Sequence, residues 1–501
     1  MDRCEQQDGT PLRLGNPIEQ RQHLGVVGHT ATDRAVGRGG AGDLLPEADE
    51  RCPDVIGAFR HGGTVIGEGW IEGAAWQDHV MDLISELEAR GLVHDSTDRA
   101  TLRGRLEAGP IGVYVGFDPT ADSLHVGHLL GQIGLRRFQE AGHRVFPLAG
   151  GATGMVGDPS GRSEERNLLT REELEHNVVA IKGQLARLLD FDSSTNPATL
   201  VDNAEWTAPI GMLEFLRDVG KHVTIGQMLA KDSVRSRLSG DAGLSYTEFS
   251  YMLLQANDFR HLHDAHGVEM QMGGSDQWGN ITAGIDLVRR TSGGSAHGLT
   301  WPLLTKADGS KFGKTADGAV WLDADRTSPY RFRQFWLQTD DADVRDRLLR
   351  FSLRSVAEVE ALVAEHESAP HERRAQRELA DELTALVHGP EAAAAASAAA
   401  AVLFGQDPRE ASGEALDVVG AEIDTSEASR ADLADVAALM VRVGLASSLG
   451  DARRTLEGRG FRCNGEVIEP GASLEATDLL PGGRLLLQKG RKSHHLVRVF
   501  S

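Results

Sequence analysis

Between about residues 79 and 305, short apolar runs alternate with stretches whose apolar positions recur at helical spacing. The runs at 112–116, 144–149, 199–202 and 267–272 predict strands, and the stretches at 124–141, 171–189, 211–219 and 246–257 predict helices. Such alternation is the sign of an α/β domain built on a parallel sheet. From about 329 to 412 the pattern turns wholly helical, at 331–336, 342–351, 355–367 and 371–387. An alanine run over 392–401, broken only by Ser397, adds a further helix, because alanine has the best helix propensity. Residues 413–433 are acidic and polar and predict a linker.

The final segment, 434–501, reads as a separate small domain. It has helical patterns at 442–449 and 451–457, then a strand–turn–strand signal over 461–468 with Asn464-Gly465 at the turn. Residues 1–78 are glycine-rich and show neither a helical nor an alternating period. They predict a disordered or weakly ordered extension, or a misplaced translation start, since Met81 opens a clean helical pattern that Gly91 ends.

Composition narrows the picture. A chain of 501 residues is long enough for two to four domains. The formal net charge of −22 means that any nucleic-acid contact must come from a local basic surface. Such a surface is available: after Pro481 there is no acidic residue, while Arg484, Lys489, Arg491, Lys492 and Arg498 accumulate. A plain solvated face is the competing reading. Cys4, Cys52 and Cys463 have no metal or redox spacing, which fits a reducing cytoplasm, and no apolar run is long enough to span a membrane.

Candidate chemistry gathers at four places. In the first, Val113-Tyr-Val-Gly-Phe-Asp-Pro-Thr-Ala-Asp-Ser-Leu-His-Val-Gly-His128 reads as a strand, a tight turn at Asp118-Pro119-Thr120, and the start of a helix. A helix N-terminus reached in this way is a ready anion site. Gly127, between His125 and His128, leaves the backbone open to a flat ligand. Two histidines at this spacing are often only satisfied side chains, and no third ligand follows them, so no protein metal site is expected.

The second place is Gly150-Gly-Ala-Thr-Gly-Met-Val-Gly-Asp-Pro-Ser-Gly161, too glycine-rich for an ordinary connection and yet not a Walker loop. It is either a flexible turn or a close approach to a ligand, with Asp158 able to hold an α-amino group. The third pairs Tyr251, Gln255 and Asp258, which share one helix face, with Gln271-Met-Gly-Gly-Ser-Asp-Gln277. That face is either the wet side of an amphipathic helix or the polar wall of a pocket. The fourth is Leu304-Thr-Lys-Ala-Asp-Gly-Ser-Lys311-Phe-Gly-Lys314-Thr315. Its two lysines, three apart near Gly309 and Gly313, suit a cationic clamp on polyphosphate or a solvated turn.

Taken together, residues 116–128 resemble the nucleotide-binding motif of class I aminoacyl-tRNA synthetases, in its tyrosyl form. The Gly-Asp-Pro-Ser-Gly stretch, the 251–258 face and Lys-Phe-Gly-Lys-Thr follow in family order, so the resemblance covers about 81–501. Arg162 stands where the family often has lysine. The resemblance implies a Rossmann-like parallel-sheet catalytic domain over 79–328, a helical anticodon-side domain over 329–412, the 413–433 linker, and a small α+β RNA-binding domain over 434–501 similar to a ribosomal-protein fold.

It also implies roles. Thr120, His125, His128, Lys311, Lys314 and Thr315 would be catalytic, and Tyr114, Asp158, Tyr251, Gln255, Asp258 and Gln271 would bind tyrosine. Gly116, Asp118, His125, Gly127, His128, Gly274, Asp276, Gln277 and Lys314 would bind ATP. Arg453, Arg454, Lys489, Arg491 and Lys492 would bind RNA. Expected partners are L-tyrosine, ATP with Mg2+, tRNA(Tyr) and a second copy in a homodimer, in the cytoplasm and without a membrane. The rivals are a tryptophanyl enzyme, a nucleotidyltransferase sharing H-x-G-H, and a non-catalytic RNA-binding paralogue. A tryptophan pocket would have little use for paired Tyr114 and Asp258, the nucleotidyltransferase should lack the 251–258 face and the RNA-binding tail, and the paralogue would tend to lose a histidine or lysine of the clamp.

Overall fold

Strands β1 (Gly112–Phe117), β2 (Arg144–Ala149), β3 (Val201–Asp202), β4 (Val268–Gly274) and β5 (His297–Trp301) form one parallel sheet in the order β3-β2-β1-β4-β5. The chain winds outward from β1 to β3 and then returns to the other side of β1 with β4. The crevice at the carboxyl ends of β1 and β4 is therefore the switch point where open α/β sheets bind ligands. The structure, a computed structural model, describes residues 82–160, 169–231, 234, 235, 238, 243–305, 312–315 and 318–500. The expected extension over 1–78 lies outside them.

Helices α1 (Val126–Glu140), α2 (Arg171–Leu188), α3 (Tyr246–His266) and α4 (Trp278–Ser292) cover the sheet. Each of α1 to α3 begins at a side-chain cap: His125, Thr170 and Ser245 accept backbone N–H groups that would otherwise lack partners. The apolar face expected for α1 is buried, with Leu129, Ile133, Leu135 and Phe138 all at 0% exposure.

Two elements depart from the sequence pattern. β5 and α4 were not among the predicted elements. β5 carries His297 and Gly298 in five residues and so shows no apolar run; it is a strand because β4 pairs with it from Met270–His297 to Gly274–Trp301. Helix α3 also continues from 257 to His266 through polar residues, until Gly267 ends it at φ 64°.

After the sheet come α5 (Pro329–Leu337), α6 (Asp341–Phe351), α7 (Val356–Ser368), α8 (Arg374–His388) and α9 (Pro390–Leu403). Their Phe332, Trp336, Phe351 and Leu379 join one apolar core with Val113, Ile133 and Phe138 of the sheet layer.

The stretch 413–433, expected as a linker, is structured: it holds α10 (Gly413–Glu422) and β8 (Asp424–Ser429). β8 pairs in parallel with β12 (Ser493–Phe500) at the edge of a second sheet, completed by β9 (Phe461–Cys463), β10 (Glu466–Val467) and β11 (Arg484–Lys489). Its sequence, Asp-Thr-Ser-Glu-Ala-Ser, is that of an exposed edge strand in which Ala428 alone is buried, so no apolar run marks it. The Asn464-Gly465 turn joins β9 to β10 as expected, with φ of 49° and 84°. The helix expected over 442–449 is instead the turn between α11 (Val436–Arg442) and α12 (Leu449–Glu457), with Gly444 at φ 78°.

Candidate active site

The turn after β1 delivers His125 to the N-terminus of α1. His125 Nδ1 accepts the Gly127 N–H at 3.1 Å, and His128 Nδ1 accepts the His125 N–H at 3.2 Å. Because both Nδ1 lone pairs are in use, each neutral ring carries its proton on Nε2 and is a donor there. The rings stack 3.9 Å apart at 18°. A Cβ on Gly127 would stand 2.8 Å from His125 Cε1, so only glycine leaves the ring this place. Two imidazole donors at the positive end of a helix suit developing negative charge. Asp118 belongs to the same turn, Gly116 is exposed on β1, and Thr120 is exposed with its N–H on the Asp118 carbonyl at 2.9 Å.

The lysine segment hangs on the same helix. Lys314 and Thr315 form β6, paired with β7 (Gly318–Ala319), while Lys311 lies outside the described residues. The Val320 N–H donates to the Gly313 carbonyl at 3.1 Å, and the Val320 carbonyl accepts the Val126 N–H at 3.0 Å. The two motifs are thus joined through one residue.

Beside them lies a polar pocket. Tyr114 on β1 and Gln271 on β4 are register partners and so share a face of the sheet. Tyr114 Oη and Gln271 Oε1 are buried without a hydrogen-bond partner among the described residues, as the reading ends of a ligand site would be. Asp258 on α3 is held from two sides: Trp206 Nε1 donates to Oδ1 at 2.8 Å and Asn203 Nδ2 to Oδ2 at 3.0 Å. Burial nevertheless pushes the Asp258 carboxyl up to about 7, and burial together with the Asp258 charge pushes the Tyr114 phenol well above its ordinary range.

From Asp258 a chain of hydrogen bonds crosses the pocket. Asn203 Nδ2 also donates to Thr153 Oγ1 at 3.0 Å, Thr153 donates to Asp118 Oδ1 at 2.8 Å, and the Tyr251 hydroxyl donates to Asp118 Oδ2 at 2.8 Å. On the far wall, Gln277 Nε2 donates to Asp158 Oδ2 at 2.7 Å, and Gln255 Nε2 to Gln277 Oε1 at 3.3 Å. Asn280 donates to Gln255, and Lys231 Nζ donates to Asn280 at 3.0 Å. Burial brings the Lys231 ammonium down to about 7. Asp276, next to Gly274 at the end of β4, is raised by burial and by the Asp158 charge.

The structure therefore brings Tyr114, Asp118, Asp158, Tyr251, Gln255, Asp258, Gln271 and Gln277 around one crevice. Sequence reasoning missed Thr153, Asn203, Trp206, Lys231 and Asn280. Asn203 and Trp206 follow the carboxyl end of β3, and that position was the signal that could have found them.

Of the expected RNA contacts, Arg453 and Arg454 are exposed on α12, and Arg491 and Lys492 are exposed on the turn between β11 and β12. Lys489 is instead engaged with Asp451 Oδ2 at 3.0 Å, an ion pair that ties this turn to α12.

Residues 106–405 match the family of tRNA synthetases class I (W and Y). The switch-point crevice, the histidine-capped helix and the lysine ribbon are thus those of a class I aminoacyl-tRNA synthetase. The chain is 53% identical over 424 residues to a tyrosine–tRNA ligase of Anaeromyxobacter dehalogenans, covering 84% of this chain and 100% of that protein. It is 46% identical over 426 residues to that of Geobacillus stearothermophilus, covering 83% and 100%. A C-terminally truncated mitochondrial tyrosyl-tRNA synthetase of Aspergillus nidulans is similar in structure, with a TM-score of 0.59 and 34% identity over 64% of this chain and 93% of that one. The chain belongs to the tyrosine–tRNA ligase family.

Proposed function

We propose that this chain activates L-tyrosine with ATP and transfers the tyrosyl group to the 3'-terminal ribose of tRNA(Tyr). The tyrosine carboxylate, ionised at pH 7, attacks the α-phosphate of ATP. A carboxylate–phosphorus bond forms, the bond to the β-phosphate breaks, and pyrophosphate leaves. A terminal ribose hydroxyl then attacks the carbonyl of tyrosyl-adenylate and AMP departs. No side chain need act as nucleophile, so the enzyme works by positioning and by stabilising charge. His125 and His128 donate to phosphate oxygens from one side, with Thr120 beside them, and Lys311, Lys314 and Thr315 act from the other. Gly116, Gly127, Gly274, Asp276 and Gln277 line the nucleotide's side of the crevice.

The observation that carries the amino-acid assignment is the buried pair of Tyr114 and Asp258. The Asp258 carboxylate, aimed by Trp206 and Asn203, accepts the phenolic proton, and the Tyr114 hydroxyl completes the contact. Phenylalanine would leave the Tyr114 hydroxyl without a ligand partner and the Asp258 carboxylate without a donor from the ligand. Discrimination of that kind is the standard example for tyrosyl enzymes. At the other end Asp158, Tyr251 and Gln255 receive the ammonium group. Amino-acid-dependent ATP–pyrophosphate exchange with tyrosine, phenylalanine and tryptophan tests this reading: exchange with tyrosine alone is expected, and no exchange with any of the three would refute it.

Magnesium enters with the ATP phosphates. The ion is part of the nucleotide substrate, a role set by the phosphate chemistry. Residues 329–412 form the domain on the anticodon side, and the second sheet with its helices, from β8 (Asp424–Ser429) onward, forms the RNA-binding domain, with Arg453, Arg454, Arg491 and Lys492 on phosphates. Met212, Leu213 and Ile225 are large apolar side chains exposed by 71%, 84% and 61%, which a second copy of the chain covers in a homodimer. The setting is the cytoplasm, where tRNA is charged; no helix among the described residues is long and apolar enough to cross a membrane.

A further inference from the structure

Arg347 lies on α6, within the helical region, and is only 2% exposed. Burying a guanidinium is costly unless its donors are used. Here they are divided between the lysine segment and the carboxylates of Asp343 and Asp346 on α6 itself. Nη2 donates to the Thr305 carbonyl, and Cζ stands 4.6 Å from the centre of the Phe312 ring. Nη1 meets Asp346 Oδ2 at 2.8 Å, which fixes the plane of the group.

Thr305 and Phe312 bound the stretch 306–311, whose last residue is Lys311. Its base is closed by the Phe312 N–H on the Leu304 carbonyl at 3.3 Å. The other edges of the Phe312 ring meet Phe335, Trp336 and Phe351 at 5.4, 5.6 and 5.9 Å. Phe312 is followed by Gly313, whose carbonyl leads through Val320 to Val126 at the start of α1. A shift of Phe312 would therefore move Lys314 relative to His125 and His128.

We propose that Arg347 is a positioning residue for Lys314, acting through Phe312. It meets the Thr305 carbonyl and the ring of Phe312, and Phe312 lies two residues before Lys314 in the chain. The proposal rests on the reading that Lys314 acts in adenylate formation. It also gives the helical region a direct mechanical connection to the reacting phosphates.

The test compares full-length wild type with Arg347→Met and Arg347→Lys, following tyrosine-dependent ATP–pyrophosphate exchange, the KM for tyrosine and the thermal midpoint. Arg347→Met is expected to lower kcat by ~10- to 100-fold with the tyrosine KM unchanged, the scale for a small misplacement of a catalytic group. Arg347→Lys keeps a cation over Phe312 but loses the fork, and falls between the two. A lowered thermal midpoint with wild-type kcat below it would mark Arg347 as a tie between helices only and overturn the proposal. So would a fall in kcat matched by an equal rise in tyrosine KM. If Arg347→Met does not fold, wild-type kcat in Arg347→Lys overturns it alone. Absence of exchange in the wild-type chain would instead refute the reading beneath it, and the clamp would fall with that reading.

Discussion

The Tyr251 hydroxyl donates to Asp118 Oδ2 at 2.8 Å, joining the middle of α3 to the turn after β1. Asp118 also accepts from the Thr153 hydroxyl on its Oδ1. Tyr251→Phe leaves one carboxylate oxygen without that donor, and hydrogen bonds to charged groups are worth about 1.5–3 kcal/mol. The tyrosine KM in pyrophosphate exchange is expected to rise ~10- to 100-fold. An unchanged KM would show that the pair does not shape the ammonium end.

Gly127→Ala puts a methyl group 2.8 Å from His125 Cε1 and 3.0 Å from its Nδ1. The ring must turn out of its stack with His128. Adenylate formation is expected to slow by ~10²-fold, with little change in thermal midpoint. Stopped-flow measurement of the single-turnover rate checks this; a wild-type rate would mean that His125 tolerates displacement.

Asp258 gives the site a pH dependence. Burial lifts its carboxyl to about 7, so from the ordinary carboxylate range up to there the folded chain binds more protons at this group than the unfolded one. In that window the group subtracts stability as pH rises. Ligand binding runs the other way, because the ionised carboxylate accepts the phenolic proton. Lowering the pH from about 8 to about 6 should weaken tyrosine binding, approaching roughly tenfold per unit below the Asp258 value, and leave phenylalanine binding flat. Equilibrium binding of both amino acids across the range decides it.

Arg491→Ala with Lys492→Ala removes two exposed cations from the β11–β12 turn. Tyrosine-dependent pyrophosphate exchange should be unaffected, while the KM for tRNA rises. The salt dependence of tRNA binding should flatten by roughly 1.4 to 1.8 in log–log slope, since each of the two lost phosphate contacts removes about 0.7–0.9. An unaltered slope would place the RNA elsewhere.

Leu213→Glu puts a charge where an 84% exposed leucine lies on the helix Met212–Asp218. Sedimentation velocity is expected to show a dimer in the wild type and a monomer in the variant. A variant that remains dimeric would move the interface off this helix.

The parts of this fold that the sequence made legible are those with a strong local signature. β1, β2, α1 and the Asn464-Gly465 turn each follow from apolar spacing or turn chemistry within a few residues. β5 and β8 were not legible because they are strands by virtue of their partners: β4 and β12 recruit residues whose own pattern is polar or broken. The site divides in the same way. Tyr114, His125, His128 and the 251–258 face sit inside recognisable motifs. Trp206, Asn203 and Lys231 gain their roles from side chains far away in sequence, such as Asp258 and Asn280. Arg347 belongs with these. Its neighbours on α6 read as an ordinary amphipathic helix, and its contacts with Thr305 and Phe312 lie more than 30 residues away in sequence.

The hydrogen-bond chain from Trp206 through Asp258, Asn203, Thr153 and Asp118 to Tyr251 bears on how this pocket could be re-engineered. On the proposed reading, the group that reads the side chain and the group that holds the ammonium are therefore not separate modules. A substitution chosen to admit an unnatural amino acid at Asp258 would relax Asn203, and through it the opposite end of the substrate. Mutations at the two ends should therefore be epistatic, and selection for altered specificity should recover them in pairs more readily than one at a time.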